Sequence, residues 1–189
     1  GCITKDTITL VVNPLPIKPI AASNTPICST DTLRLLSATL TTGISYSWAG
    51  PNGFTSPAQN PSVNNPPVAA AGDYIVTATI TATGCAAKDT VTVAITQSPS
   101  VSATNSSPVC EGSTVSLSAV ASPATAVYSW SGPGSFSSPS QNPVISNAAT
   151  TASGDYIVSA TLNGCTGKDT TTVVVKPNPI MPVTNSNTP

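Results

Sequence analysis

Histidine is missing from this 189-residue chain, and glutamate occurs once, at Glu111. Without imidazole there is no Ser-His or Cys-His dyad, no imidazole zinc ligand, and no side chain whose ordinary titration falls near neutrality. The other carboxylates are six aspartates, a short supply for a two-carboxylate hydrolase. The residue types a catalytic site needs are mostly lacking, so the sequence reads as non-enzymatic, with no catalytic residue, metal or cofactor. Charge of either sign is scarce. Charged residues make up 7% of the chain, where about 25% is usual. The six Lys and Arg are scattered singly at a net charge of -1, which leaves no basic stripe for nucleic acid. No apolar run approaches the roughly 18 residues of a membrane span. No charged-then-apolar leader opens the chain, which therefore reads as an internal or processed fragment.

What replaces charge is Ser, Thr, Asn and Pro, written in copies. The stretch "GCITKDTITLVVNP" from Gly1 returns as "GCAAKDTVTVAITQSP" from Gly84 and "GCTGKDTTTVVVKPNP" from Gly164. The cysteine spacings are 85 − 2 = 83 and 165 − 85 = 80 residues. "SNTPICSTDTLRLLSA" from Ser23 matches "NSSPVCEGSTVSLSA" from Asn105, and "AAAGDYIVTATI" matches "TASGDYIVSATL". The closing "NSNTP" starts another copy. Repeats of this kind decide the architecture before any local reading does. Proline clusters at Asn13, Ser98 and Lys176 mark stiff, extended linkers. The expected organisation is a last strand of a preceding repeat (1–13), whole repeats over 14–97 and 98–177, and the start of a following repeat (178–189).

Within each repeat the side chains alternate with period two. Val91, Val93 and Ile95 share one face of a segment whose other face holds Thr90 and Thr92. Tyr74, Val76, Ala78 and Ile80 line up in the same way, as do Val115, Leu117 and Ala119. This is the strand signature, and threonine suits the outer face of a pleat. Short strands divided by Gly, Pro and Asn predict all-β, antiparallel sandwiches of ~80 to 100 residues each.

Large side chains are few, so their positions carry weight. "YSWAGPNGFTSPAQNP" from Tyr46 and "YSWSGPGSFSSPSQNP" from Tyr128 are nearly one motif, with the tryptophan 20 residues after the preceding cysteine each time (48 − 28, 130 − 110). Tyr46 and Trp48, like Tyr128 and Trp130, alternate with serine and face one way, which makes them core anchors of the sandwich. The competing reading makes the indoles a sugar-binding platform in a carbohydrate- or host-ligand-binding module, and it requires their faces to be exposed. The "GPNGF" and "GPGSF" that follow are turn chemistry, and "QNP" marks the return of the chain.

The motif "YSWxGPxxFxSPxQNP", with "GDYIV" and "NGC" before a Thr-Val strand, resembles the immunoglobulin-like and PKD-like repeats of very large Bacteroidota adhesins of the gliding and type IX secretion systems. The resemblance implies tandem immunoglobulin-like sandwiches. It also implies a tyrosine corner at Tyr74 and Tyr156, although Cys85 follows Tyr74 by 11 residues (85 − 74) rather than two, so the antibody disulfide is not transferred. Asp-Thr pairs at Asp6, Asp31, Asp89 and Asp169 are similar to the O-glycosylation signal of the same phylum, which implies glycans on Thr7, Thr32, Thr90 and Thr170. Alternatively Lys-Asp-Thr merely starts a last strand and guards its edge. Asp73 and Asp155 could ligate calcium, though single carboxylates make poor calcium sites and a turn role is the simpler one.

Five cysteines at repeating positions in a chain without histidine indicate disulfides rather than metal. The simplest connectivity joins Cys28 to Cys85 and Cys110 to Cys165 within repeats, since a small core gains from its own staple. Cys2 then pairs outside the fragment. The alternative joins Cys28 to Cys165 across the linker. The reading as a whole is a structural repeat segment of a secreted adhesin or extracellular filament, whose partners are copies of itself, adjacent repeats of the same chain and surface glycans. The opening strand "ITKDTITLVV" is expected to be completed upstream or by a neighbouring subunit.

Overall fold

Alternation of apolar and hydroxyl side chains becomes β-strand almost throughout. In the computed structural model, which describes residues 2–179, the regular elements are strands and three single turns of 3-10 helix, with no α-helix among the described residues. The described chain divides into two compact units, the break falling between Gln97 and Ser98.

The first unit comprises β1 (Ile20–Ser23), β2 (Ile27–Cys28), β3 (Thr32–Ala38), β4 (Ile44–Ala49), β5 (Thr55–Ser56), β6 (Ser62–Asn64), β7 (Gly72–Ile80), β8 (Ala86–Val93) and β9 (Ile95–Thr96). One sheet has the order β1-β3-β6 and the other β5-β4-β7-β8, with antiparallel neighbours throughout. The second unit repeats this with β10 (Ser100–Asn105), β11 (Val109–Cys110), β12 (Val115–Ser122), β13 (Val127–Gly132), β14 (Phe136–Ser138), β15 (Val144–Ile145), β16 (Gly154–Leu162), β17 (Cys165–Val173) and β18 (Val175–Lys176). Its sheets are β10-β12-β15 and β14-β13-β16-β17.

One departure from the all-antiparallel expectation occurs in both units. Strands β2 and β9 pair parallel, as do β11 and β18. Pro26 and Pro108 lie between the first two strands of each unit. A residue without an N–H cannot extend the first ladder, so the chain leaves its opening sheet there and joins the end of the other.

The faces that alternation lines up are the interior faces. Leu33, Leu35 and Ser37 of β3 are buried, and so are Tyr74, Val76 and Ala78 of β7; the second unit buries Val115, Leu117 and Ala119 with Tyr156, Val158 and Ala160. Each fully buried leucine or valine contributes about 1.5–3 kcal/mol of transfer free energy. Ser37 alone breaks the pattern, since its buried hydroxyl has no hydrogen-bond partner. Ala119 occupies the matching place in the second unit. Ser37→Ala is therefore expected to stabilise the first unit by about 1 kcal/mol, seen as a higher urea midpoint at unchanged slope. A lower midpoint would show that the hydroxyl does bond.

Residues 2–19 form no strand, although 1–13 copies β8 and β17. The reason is a lack of partners. Those strands pair with β7 and β16, whose opposite edges are already taken by β4 and β13. Ile8 and Leu10 are left 91% and 85% exposed. From residue 180 onward, the expected start of a following repeat lies outside the described residues.

Candidate functional site

The repeated aromatic motif builds an interior bracket in each unit. Strand β4 points Trp48 between the sheets, where it is 0% exposed, and β13 does the same with Trp130. The Trp48 indole donates from Nε1 to the Gln59 carbonyl at 3.1 Å. Gln59 Nε2 donates to the Ser37 carbonyl at 2.8 Å, Asn60 Oδ1 accepts from the Ser37 N–H at 2.9 Å, and the Pro61 carbonyl accepts from the Leu35 N–H at 3.0 Å. All three residues of "QNP" thus bond β3, while the first also holds the indole. The second unit repeats the bracket through Trp130, Gln141 and Asn142, with distances of 3.2 Å from Trp130 Nε1 to the Gln141 carbonyl, 2.7 Å from Gln141 Nε2 to the Ala119 carbonyl, and 3.2 Å from the Ala119 N–H to Asn142 Oδ1. A sugar cannot stack on an indole that no solvent reaches, so the binding-platform reading of Trp48 and Trp130 is overturned.

Below the bracket, Tyr74 donates its hydroxyl to the Ala70 carbonyl at 2.9 Å, and Tyr156 to the Ala152 carbonyl at 3.0 Å. These are the tyrosine corners that "GDY" implies. Burial pushes both phenols above the usual tyrosine range, so they remain donors at neutral pH. Phe54 and Phe136 meet the rings edge-on, with centroids 5.3 Å apart in each unit. Tyr128 is buried and accepts from the Ala121 N–H at 3.1 Å, whereas Tyr46 is half-buried on the rim of its core. The sequence reading missed Gln59, Asn60, Gln141 and Asn142. Their signal was the recurrence of a polar pair at fixed distance from a tryptophan.

The aspartates hold the sandwich together. Asp89 sits in mid-strand rather than at the start of β8, and its Oδ2 accepts from the Ala21 N–H of β1 at 2.8 Å. Asp169 does the same for Ala103 of β10 at 2.8 Å. Since β1 and β8 are the outer strands of opposite sheets, each carboxylate ties two edges that would otherwise lie open. Lys18 Nζ also approaches Asp89 Oδ1 at 2.8 Å. The Lys18 bond and the Ala21 N–H hold the Asp89 carboxyl below its usual range, and the Ala103 and Thr170 N–H groups do so for Asp169. A depressed folded pKa gives stability that is fully present above the unfolded value near 4 and is lost as pH falls through the folded value. The melting midpoint should therefore hold steady from about pH 8 to 5 and fall below about pH 4. Asp89→Asn should flatten that acid slope for the first unit, and an unchanged slope would contradict the role given to Asp89. Asp73 and Asp155 accept the hydroxyls of Thr92 and Thr172 at 2.6 Å. No cluster of three His, Cys, Asp or Glu that could hold a metal occurs among the described residues.

The cysteines contradict the within-repeat pairing. Cys28 and Cys165 are each disulfide-bonded, whereas Cys85 and Cys110 are free thiols, as is Cys2. Geometry explains why. Cys28 lies opposite Thr96, and Thr96 is 96 − 85 = 11 residues along the extended chain from Cys85. At about 3.3 Å per residue that separation is about 36 Å, against the ~4.4 to 6.8 Å between α-carbons of a disulfide. Cys110 lies opposite Lys176, which is likewise 176 − 165 = 11 residues beyond Cys165. Each unit therefore carries its two cysteines at opposite poles.

Of the four Asp-Thr threonines, Thr7, Thr90 and Thr170 are exposed. Thr32 is half-buried and donates its hydroxyl to Asn64 Oδ1 at 2.9 Å. A shallow apolar hollow of about 300 Å³ lies on the first unit between Ile17, Ile20 and Leu40. No helix among the described residues is long and apolar enough to cross a membrane.

Two three-stranded and two four-stranded sheets, each pair closed by a tyrosine corner, define the fold of both units. Residues 16–99 match the model of the Ig-like domain family described as CHU_C associated. The two units are Ig-like β-sandwiches in tandem. No curated protein matches the chain. Among solved structures, it is similar to the three N-terminal domains of the highly immunogenic outer capsid protein (Hoc) of bacteriophage RB49, at 17% identity and a TM-score of 0.40, covering 84% of this chain and 59% of that one. Extracellular domains 3–5 of Drosophila OTK match at 14% identity and 0.45, covering 85% and 63%. Murine CEACAM1b matches at 13% and 0.39, covering 84% and 100%. The chain thus spans less than two thirds of the phage and Drosophila structures.

Proposed function

We propose that this chain is a non-catalytic structural segment of a secreted cell-surface adhesin or extracellular filament, of the kind found in Bacteroidota. The observation that carries the reading is duplication down to single hydrogen bonds. Trp48, Gln59 and Ser37 in one unit are answered by Trp130, Gln141 and Ala119 in the other. A chain that copies its interior while leaving its outer faces hydroxyl-rich gains length, not a pocket. The polar residues also serve architecture: the bracket consumes the amides, and edge ties consume Asp89 and Asp169. Partners of such a segment are adjacent repeats or other copies. Surface glycans belong to the same proposal, with Thr7, Thr90 and Thr170 as the accessible acceptors and Thr32 as the guarded one.

Protease shaving of intact source cells, followed by mass spectrometry of the released peptides, tests both parts. Peptides of both units should appear before lysis, and those bearing Thr90 and Thr170 should carry hexose-type mass. Recovery only after lysis would contradict the surface placement, and bare threonines would remove the glycans from the account.

A further inference from the structure

The two free thiols Cys85 and Cys110 occupy positions that are disulfide-bonded in the other copy of the repeat. Cys85 immediately precedes the last long strand of its unit, the place at which the bonded Cys165 opens β17; Cys110 lies on the short parallel strand after the proline, as the bonded Cys28 does. Both positions of the repeat therefore form disulfides, and in neither unit does the bond join the unit's own two poles. Cys110 is exposed, while Cys85 is partly exposed, with its thiol against the Asn13 carbonyl at 3.9 Å. We infer that Cys85 and Cys110 are covalent joining points to further Ig-like repeats: Cys85 bonds a cysteine of the Cys110 position in another repeat, and Cys110 bonds one of the Cys85 position.

Opposite placement of the two cysteines makes this joint directional. A bond between unlike poles leaves one thiol of each class at the ends, so repeats add head to tail rather than stopping at a like-with-like dimer. The chemistry is thiol–disulfide exchange with a small oxidised disulfide. The Cys85 thiolate displaces one thiolate from the oxidant and forms a mixed disulfide, and the Cys110 thiolate of another repeat then displaces the second. Two protein thiols give up two electrons and two protons, while one oxidant disulfide is reduced to two thiols. Such bonds would let a chain of marginally stable sandwiches bear load along its length.

The inference rests on the repeat reading but not on surface placement, so the shaving experiment above and the one below fail independently. The full 189-residue chain with Cys2→Ser, which removes the third free thiol, is incubated with oxidised glutathione and run without reductant. It should form a ladder of disulfide-linked oligomers that reductant collapses. Adding Cys85→Ser or Cys110→Ser should each abolish the ladder completely, because unlike poles are required. Dimers persisting in either double variant would show like-with-like bonding and overturn the directional joint. Absence of any oligomer, with both thiols modified only by glutathione, would overturn the joint itself. Folding of each variant is checked by the indole fluorescence of its two buried tryptophans.

Discussion

Trp48→Ala should destabilise the first unit by about 3–5 kcal/mol, a large share of the 5–15 kcal/mol that small domains possess. The indole fills the space between β3 and β4, among Leu33, Leu35, Tyr74 and Val76. Its removal leaves a cavity and also leaves the Gln59 carbonyl without the N–H it accepts. Trp48→Phe keeps much of the apolar volume but loses the hydrogen bond, so it should cost less. The buried cores of the two units share no residue. The loss should therefore fall on the first unit, while Trp130 continues to report the second. Trp130→Ala should produce the mirror result. Urea denaturation followed by far-UV circular dichroism and by the remaining tryptophan gives both numbers. A Trp48→Ala chain as stable as the parent would show that the indole is not the anchor of its core.

Gly50→Ala should also be strongly damaging, for a reason no helix or turn propensity contains. A β-carbon on Gly50 would lie 2.5 Å from Tyr74 Cδ1, 2.6 Å from Cε1 and 3.0 Å from Cγ, and one on Gly132 would meet Tyr156 at 2.4 Å. The ring cannot step aside easily, because its hydroxyl is tied to the Ala70 carbonyl and its face to Phe54. Overpacking of this kind costs about 1–3 kcal/mol or more. Gly53→Ala is the control, since nothing lies within 4 Å of its added carbon and only its positive φ of 71° resists the change. A double-mutant cycle decides the cause. In a Tyr74→Ala background the cost of Gly50→Ala should largely vanish, and an undiminished cost would place the strain elsewhere.

Much of this was legible in the chain itself because repetition doubles every signal. Alternation in "DTVTVAI" and "GDYIVTATI" placed Val93, Tyr74 and Val76 inward, and the constant offset from cysteine to tryptophan marked Trp48 and Trp130 as one place in one fold. The corners at Tyr74 and Tyr156 came from the family resemblance that "GDY" carries. The remainder was hidden for physical reasons. Glutamine and asparagine in "QNP" look like surface turn residues, and only the proximity of β3 turns them into a bracket. Asp89 looks like an edge guard, and only the meeting of β1 with β8 makes it a tie between sheets. The cysteine pairing failed because sequence spacing does not give distance. Fifty-seven residues separate Cys28 from Cys85 (85 − 28), and the strand β8 returns the chain to Cys28 only after it has passed Cys85 at the far pole.

The central claim is that the twice-written motif is architecture, with both indoles enclosed. Tryptophan emission of the native chain, titrated with a neutral collisional quencher and then repeated in denaturant, tests it directly. The account predicts blue-shifted emission that resists quenching until unfolding, and no change on adding soluble saccharides. Water-like emission that quenches freely in the native state, or that shifts when a saccharide binds, would contradict it.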